Sequence, residues 1–192
     1  MKITQRSLLM VCGVSLFALA CGGQVNEGGP GVEILTEEGP VYQGPAAEDP
    51  EAQADPAAEA RVLTLVNQAR AVARTCGTTA YPAAPALSRD ARLDRAAAAH
   101  STDMATRNFF SHTGSDGSSP FVRMQRQGYR YANAGENIAA GYSTADAVVA
   151  GWLKSAGHCA NIMNARYVHI GISLARGGSY GYYWTQDFGR PL

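Results

Sequence analysis

Between Gly22 and Ala57 this chain has no lysine or arginine, although its 192 residues include 16 of them and its formal net charge is zero. The same stretch holds eight acids: Glu27, Glu33, Glu37, Glu38, Glu48, Asp49, Glu51 and Asp55. Rich in Gly, Pro and acid, it has too few apolar side chains to offset the entropy of ordering, so it reads as a self-repelling spacer. Residues 58–192 have the opposite imbalance, 14 basic against 8 acidic side chains, a net of +6. A long apolar run is missing as well. The N-terminal one, Ser7 to Ala20, has 14 residues, short of the roughly 20 that a membrane-spanning helix needs. No internal repeat is evident, and the length suits one globular domain plus tails.

Other absences narrow the chemistry. There is no HExxH, which argues against a zinc-protease helix. Gly141-Tyr142-Ser143-Thr144-Ala145 lacks the second glycine of a nucleophile elbow, which argues against serine hydrolysis. The arginines are spread over every expected helix and no nucleic-acid-binding motif occurs, so the basic excess points to anionic envelope surfaces and not to nucleic acid.

What is present begins with an export pattern. Lys2 and Arg6 precede the apolar run, and Ala18-Leu19-Ala20 stands before Cys21, as in a cleaved signal. The segment resembles a bacterial lipobox, with Ala18 where Leu is more usual, and a Gly/Pro-rich spacer follows directly. Cys21 is therefore expected to be an acylated membrane anchor; cleavage by ordinary signal peptidase, leaving a plain thiol, is the alternative. The expected organisation is a signal over 1–20, an anchored acidic linker over 21–57 and a domain over 58–192. With Cys12 lost to the signal, Cys76 and Cys159 remain and are expected to form a disulfide in an exported chain. A Cys159 nucleophile activated by adjacent His158 is the competing reading.

Within the domain, Val62, Leu65, Val66, Ala69 and Val72 share one helical face, and that helix is expected to stop near Cys76-Gly77. A second helix is expected from an N-cap at Ser88, with His100 on its buried face. A short helix over 120–127 follows. Ser143 and Asp146 suggest a capping box for a third long helix, which ends at Gly157. Val168, Ile170, Ile172 and Leu174, then Tyr180, Tyr182, Trp184, Gln186 and Phe188, alternate as two strands of an antiparallel hairpin, with His169 pointing to solvent.

Three residues are candidates for one site: His112 on a loop at a helix end, Glu136 within Ala134-Gly135-Glu136-Asn137-Ile138-Ala139, and His158 after the third long helix. Two imidazoles and a carboxylate could hold zinc or another divalent metal with a position open for water. A metal-free cluster with Glu136 oriented by hydrogen bonds uses the same residues.

The blocks FFSHTGSDG, AGENIAAG, WLKSAGHCANIMN, HIGISLA and YYWTQDFG, in that order, resemble the CAP superfamily, named for cysteine-rich secretory proteins, antigen 5 and pathogenesis-related proteins, in its bacterial SCP-like form. The resemblance implies an α+β fold, a three-layer α-β-α sandwich with a mostly antiparallel central sheet and a broad cleft. It also implies a site of two histidines and two acids, matched here by His112, Glu136 and His158. The second acid, expected about three residues after the helix tryptophan, is replaced by Ser155. The functional expectation is an envelope-anchored module binding an envelope ligand, lipid or protein. A metal-assisted hydrolase of peptide or envelope material, with Glu136 as ligand or base, is the alternative, and a ligand-free structural brace is the third.

Overall fold

The computed structural model describes residues 55–192; the signal, Cys21 and the expected linker as far as residue 54 lie outside them, and the last linker residues, Pro56 and Ala57, are helical. Helix α1, Pro56–Arg70, begins where Asp55 accepts a hydrogen bond from the Ala58 N–H and Pro56 supplies a preset φ. It buries Val62, Val66 and Ala69, but it stops at Arg70 and does not continue to Cys76. The intervening residues instead form a hairpin of β1, Arg74–Cys76, and β2, Thr79–Tyr81, turning at Gly77 with φ +59°. Two constraints override the helical pattern there. The Cys76–Cys159 disulfide is formed, and a side chain at Gly77 would place its Cβ 2.8 Å from that of Ala156.

Strand β3, Ser88–Arg89, takes the residue expected to cap the next helix. The cap of α2, Ala91–Arg107, is Asp90, whose carboxylate accepts from the Arg92 N–H, and Asn108 closes the helix in the left-handed region. Helix α3, Pro120–Arg126, is capped by Ser119. After β4, Tyr131–Ala140, helix α4, Ala145–Lys154, is capped by Thr144 and not by Ser143. Asp146 is drawn away from any capping box by Arg61, 2.7 Å from its carboxylate. Helix α5, Ala156–Met163, and strands β5, His169–Gly177, and β6, Gly181–Pro191, complete the domain.

The central sheet has the order β3-β5-β6-β4. It is mixed: β4/β6 and β5/β6 are antiparallel, while the two-residue β3 runs parallel to β5. Helices α1, α4 and α5 cover one face and α2 with α3 the other, giving the three-layer α+β sandwich. Alternation along the strands explains the division. Ile170, Ile172, Leu174, Trp184 and Phe188 join the core with Val62, Val66, Val148, Trp152 and Ile162. Gly171 faces the other way, where a Cβ would come within 2.1 Å of the Leu93 backbone, so α2 lies directly on the sheet. His169, expected in solvent, is half-buried: the Tyr129 hydroxyl is 3.1 Å from its Nδ1 and Asp90 is 3.6 Å away. Among the described residues no helix is long and apolar enough to cross a membrane.

Candidate functional site

Strand β4 is an edge strand, and the residues on its outer side decide what can gather there. An open edge exposes backbone groups that invite another strand. Here three of its carbonyls are occupied by side chains: Ala134 by the Tyr167 hydroxyl, Glu136 by Asn161 Nδ2 and Ile138 by Trp152 Nε1. Asn161 Nδ2 also donates to Asn137 Oδ1, while Asn137 Nδ2 donates to the His158 carbonyl and to Gln186 Oε1. The edge is closed by buried polar side chains, a tie that fixes α5 against β4.

Glu136 points to the α2/α3 side. His112 Nδ1 donates to its Oε1 at 2.6 Å, and Arg123 Nη2 donates to its Oε2 at 2.7 Å. All three side chains are buried. Burial alone would raise the Glu136 pKa; the His112 hydrogen bond and the Arg123 charge help to outweigh it and hold the acid below its ordinary range. Arg123 also donates to the Ser118 and His112 carbonyls, so one guanidinium positions both the acid and its histidine. His100 lies on the buried face of α2 as expected and bonds the Ser111 carbonyl; burial lowers it to about 4.

A second acid is present, from a place the sequence did not indicate. Asp187 on β6 is the cross-strand partner of Glu136 and is fully buried. No hydrogen-bond partner reaches either of its oxygens among the described residues, and the Glu136 carboxylate is close enough for its charge to act on it. Burial first, and the Glu136 charge second, push Asp187 well above the usual carboxylate range. Arg123 was equally unmarked, because an arginine on a short surface helix reads as solvated.

His158 stands beside this cluster, near enough for the His112 charge to act on it. Its backbone belongs to the Asn137 side of β4 and it makes no bond to Glu136; its Nε2 is buried without a hydrogen-bond partner. Burial, with His112 contributing, lowers it to about 4, so it is neutral at pH 7. His158 and Ser155 sit at one end of a pocket of about 560 Å³ whose walls include Ile138, Ala139, Ala147, Ala150 and Trp152. Tyr142 and Lys154 complete its lining. Gly151 makes room for the Tyr142 ring: a Cβ there would lie 2.6 Å from the tyrosine oxygen. Among the described residues no three His, Cys, Asp or Glu side chains converge as a metal site. As arranged, Glu136 has both oxygens engaged, one by a cation, a donor set that does not fit a metal at that carboxylate. Cys159 is not available as a nucleophile, being disulfide-bonded to Cys76.

Residues 63–188 match the model of the cysteine-rich secretory protein family, CAP. The chain belongs to that family. Among curated proteins it is 42% identical over 102 residues to the uncharacterized protein YkwD of Bacillus subtilis, covering 53% of this chain and 38% of that one. It is 38% identical over 89 residues to the uncharacterized membrane protein YlbC of the same organism, covering 46% of this chain and 24% of that one. The chain thus spans well under half the length of these relatives. Among solved structures, an extracellular SCP-domain protein of Bacillus anthracis is 36% identical with a TM-score of 0.50, over 56% of this chain and 34% of that one. An outer surface protein of Borrelia burgdorferi shares the CAP fold at 17% identity and a TM-score of 0.58, over 73% of this chain and 99% of that one. Both Gly135-Glu136-Asn137 and Gly157-His158 lie within the matched residues.

Proposed function

We propose that this CAP domain is an exported, envelope-associated binding module whose ligand or partner enters the pocket between α4, α5 and the end of β4. The observation that carries the reading is the division of labour. The pocket is apolar and ends on neutral His158, while Glu136 is committed to His112 and Arg123 and serves as the brace that holds the pocket's strand. The extracellular relative supports export. The binding test uses an apolar fluorescent probe, anilinonaphthalene sulfonate, with Trp152 in the pocket wall as energy donor. Ala150→Phe, which fills the pocket from α4, should abolish energy transfer without lowering thermal stability; unchanged transfer in that variant would sink the reading.

A metal-assisted hydrolase with His112, His158 and Glu136 as ligands draws on the unpartnered Nε2 of His158. It would require Glu136 to release Arg123. Zinc calorimetry on the chelator-stripped protein separates the two: no difference between wild type and His112→Ala plus His158→Ala removes the metal. Envelope-peptide turnover lost in Glu136→Gln would instead support the enzyme.

A further inference from the structure

Ion pairing consumes most of the domain's acids and leaves several basic side chains over, among them Arg74 on β1, Lys154 on α4 and a group of arginines at one end of the sheet. Asp146 is held by Arg61, Asp90 by Arg92, Asp103 by Arg107, Asp116 by Arg126 and Glu136 by Arg123, while Glu59 and Asp94 share Arg89. The remaining acid of the domain, Asp187, is buried. Arg95, Arg130 and Arg190 are exposed and make no ion pair among the described residues.

These three lie at the same end of the molecule. Arg95 Nε donates to Gln127 Oε1 in the turn that leads to Arg130. The Arg130 carbonyl accepts the Leu192 N–H, two residues beyond Arg190. Arg190 Nε donates to the Arg166 carbonyl. Asp90, the acid of this region, is already bonded to Arg92 at 2.7 Å.

We propose that this end of the domain, centred on Arg95, Arg130 and Arg190, is a docking surface for the phosphate headgroups of an anionic bilayer. Guanidinium forks bind phosphate oxygens in pairs. Spread over an open surface, they match a plane of headgroups better than one small ligand. Each basic residue near such a surface contributes about 1 kcal/mol of attraction, which falls as salt screens it. The chain enters the domain at Asp55, bonded to Arg176 near the far end of β5 from His169. The nine residues of β5 extend about 30 Å. Cys21 and Asp55 are separated by enough chain to span about 110 Å. A protein anchored at Cys21 can thus turn this end toward its own membrane. The surface does not depend on that anchor, and the test removes it.

Full-length chain carrying Cys21→Ser is mixed with phosphatidylcholine vesicles with or without phosphatidylglycerol and the bound fraction is measured by sedimentation at rising salt. Binding is expected only with phosphatidylglycerol, weakening with salt. Arg95→Gln, Arg130→Gln and Arg190→Gln together should lower it about a hundredfold. The matched triple Arg61→Gln, Arg107→Gln and Arg176→Gln makes the same change of net charge on paired arginines and should lower it less than about threefold. Equal loss in the two triples, or equal binding to neutral vesicles, overturns the proposal. Capture by soluble polyphosphate without vesicle binding assigns the surface to a soluble polyanion and overturns it too.

Discussion

Replacing Asp187 by Asn should change how stability depends on pH, in a direction fixed by where the acid lies. A carboxyl raised on folding binds more protons in the native than in the unfolded chain at every pH between its two values. Stability is then lost as pH rises from the unfolded value, near 3.9, through the native one, at about 1.4 kcal/mol per pH unit. His100 and His158 act oppositely. Both are lowered to about 4, so each adds about 1.4 kcal/mol per unit between there and the unfolded value near 6.5, and nothing above it. Wild type should therefore gain stability with pH less steeply than the two histidines alone would give, for as long as native Asp187 stays protonated. Asp187→Asn keeps the shape and cannot ionise, so its stability should rise more steeply with pH than that of wild type. The histidine contributions cancel in the difference, which should grow by about 1.4 kcal/mol per pH unit from pH 5 upward until native Asp187 ionises. Urea unfolding followed by the fluorescence of buried Trp152 and Trp184 measures it. Parallel curves for the two proteins between pH 5 and 7.5 would show that Asp187 ionises alike in both states, refuting the proton-bearing acid.

Three further outcomes follow from single observations. Removing the disulfide with Cys76→Ala and Cys159→Ala opens a link across 83 positions and should cost about 2 to 4 kcal/mol in denaturant unfolding. Arg70 is fully buried and donates to the carbonyls of Pro85, Ile162, Asn164 and Tyr167; Arg70→Met strands those acceptors and should lower stability by roughly 3 kcal/mol or more. Gly171→Ala drives a Cβ into the Leu93 backbone, so its loss should exceed the roughly 1 to 3 kcal/mol usual for overpacking, whereas Gly117→Ala, with open space but φ +77°, should lose only about 1 kcal/mol.

The sequence made the layers legible where one periodicity ruled a whole element. The β5/β6 hairpin and the face of α1 as far as Ala69 followed directly from alternation and 3.6-residue spacing, whereas Val72, expected on that face, lies beyond the helix and is exposed. It misled where a cap depended on tertiary pairing: Ser88 could cap a helix but is needed to pair with His169 on β5, and Asp146 could close a capping box but meets Arg61 across the helix layer. The site was legible only in part for the same reason. His112 and Glu136 were named and do meet. Arg123 and Asp187 complete their cluster, yet an arginine on α3 and an acid on β6 acquire their roles only once α2 and α3 are laid over the sheet. His169 shows the converse, since a residue opposite an apolar strand face is expected in water until a second layer covers that face.

Gly135, Glu136 and Asn137 show why three adjacent residues carry so much of the domain. Alternation sends Glu136 to the α2/α3 side and Asn137 to the α5 side, so one strand segment serves both layers. Gly135 shares the Asn137 face, where a Cβ would be 2.5 Å from the Tyr167 oxygen, which donates to the Ala134 carbonyl. A larger residue would displace Tyr167, and with it the cover of the sheet edge beside Asn161. The glycine is thus a packing requirement, the amide a tie to α5, and the acid the centre of a buried ionic cluster with His112 and Arg123. Since Asn137 holds the His158 carbonyl, a change at Glu136 should reach the pocket through the strand's position, not through direct contact. Glu136→Gln should therefore alter pocket binding less than Asn137→Ala does, even though Glu136 is the more highly charged of the two.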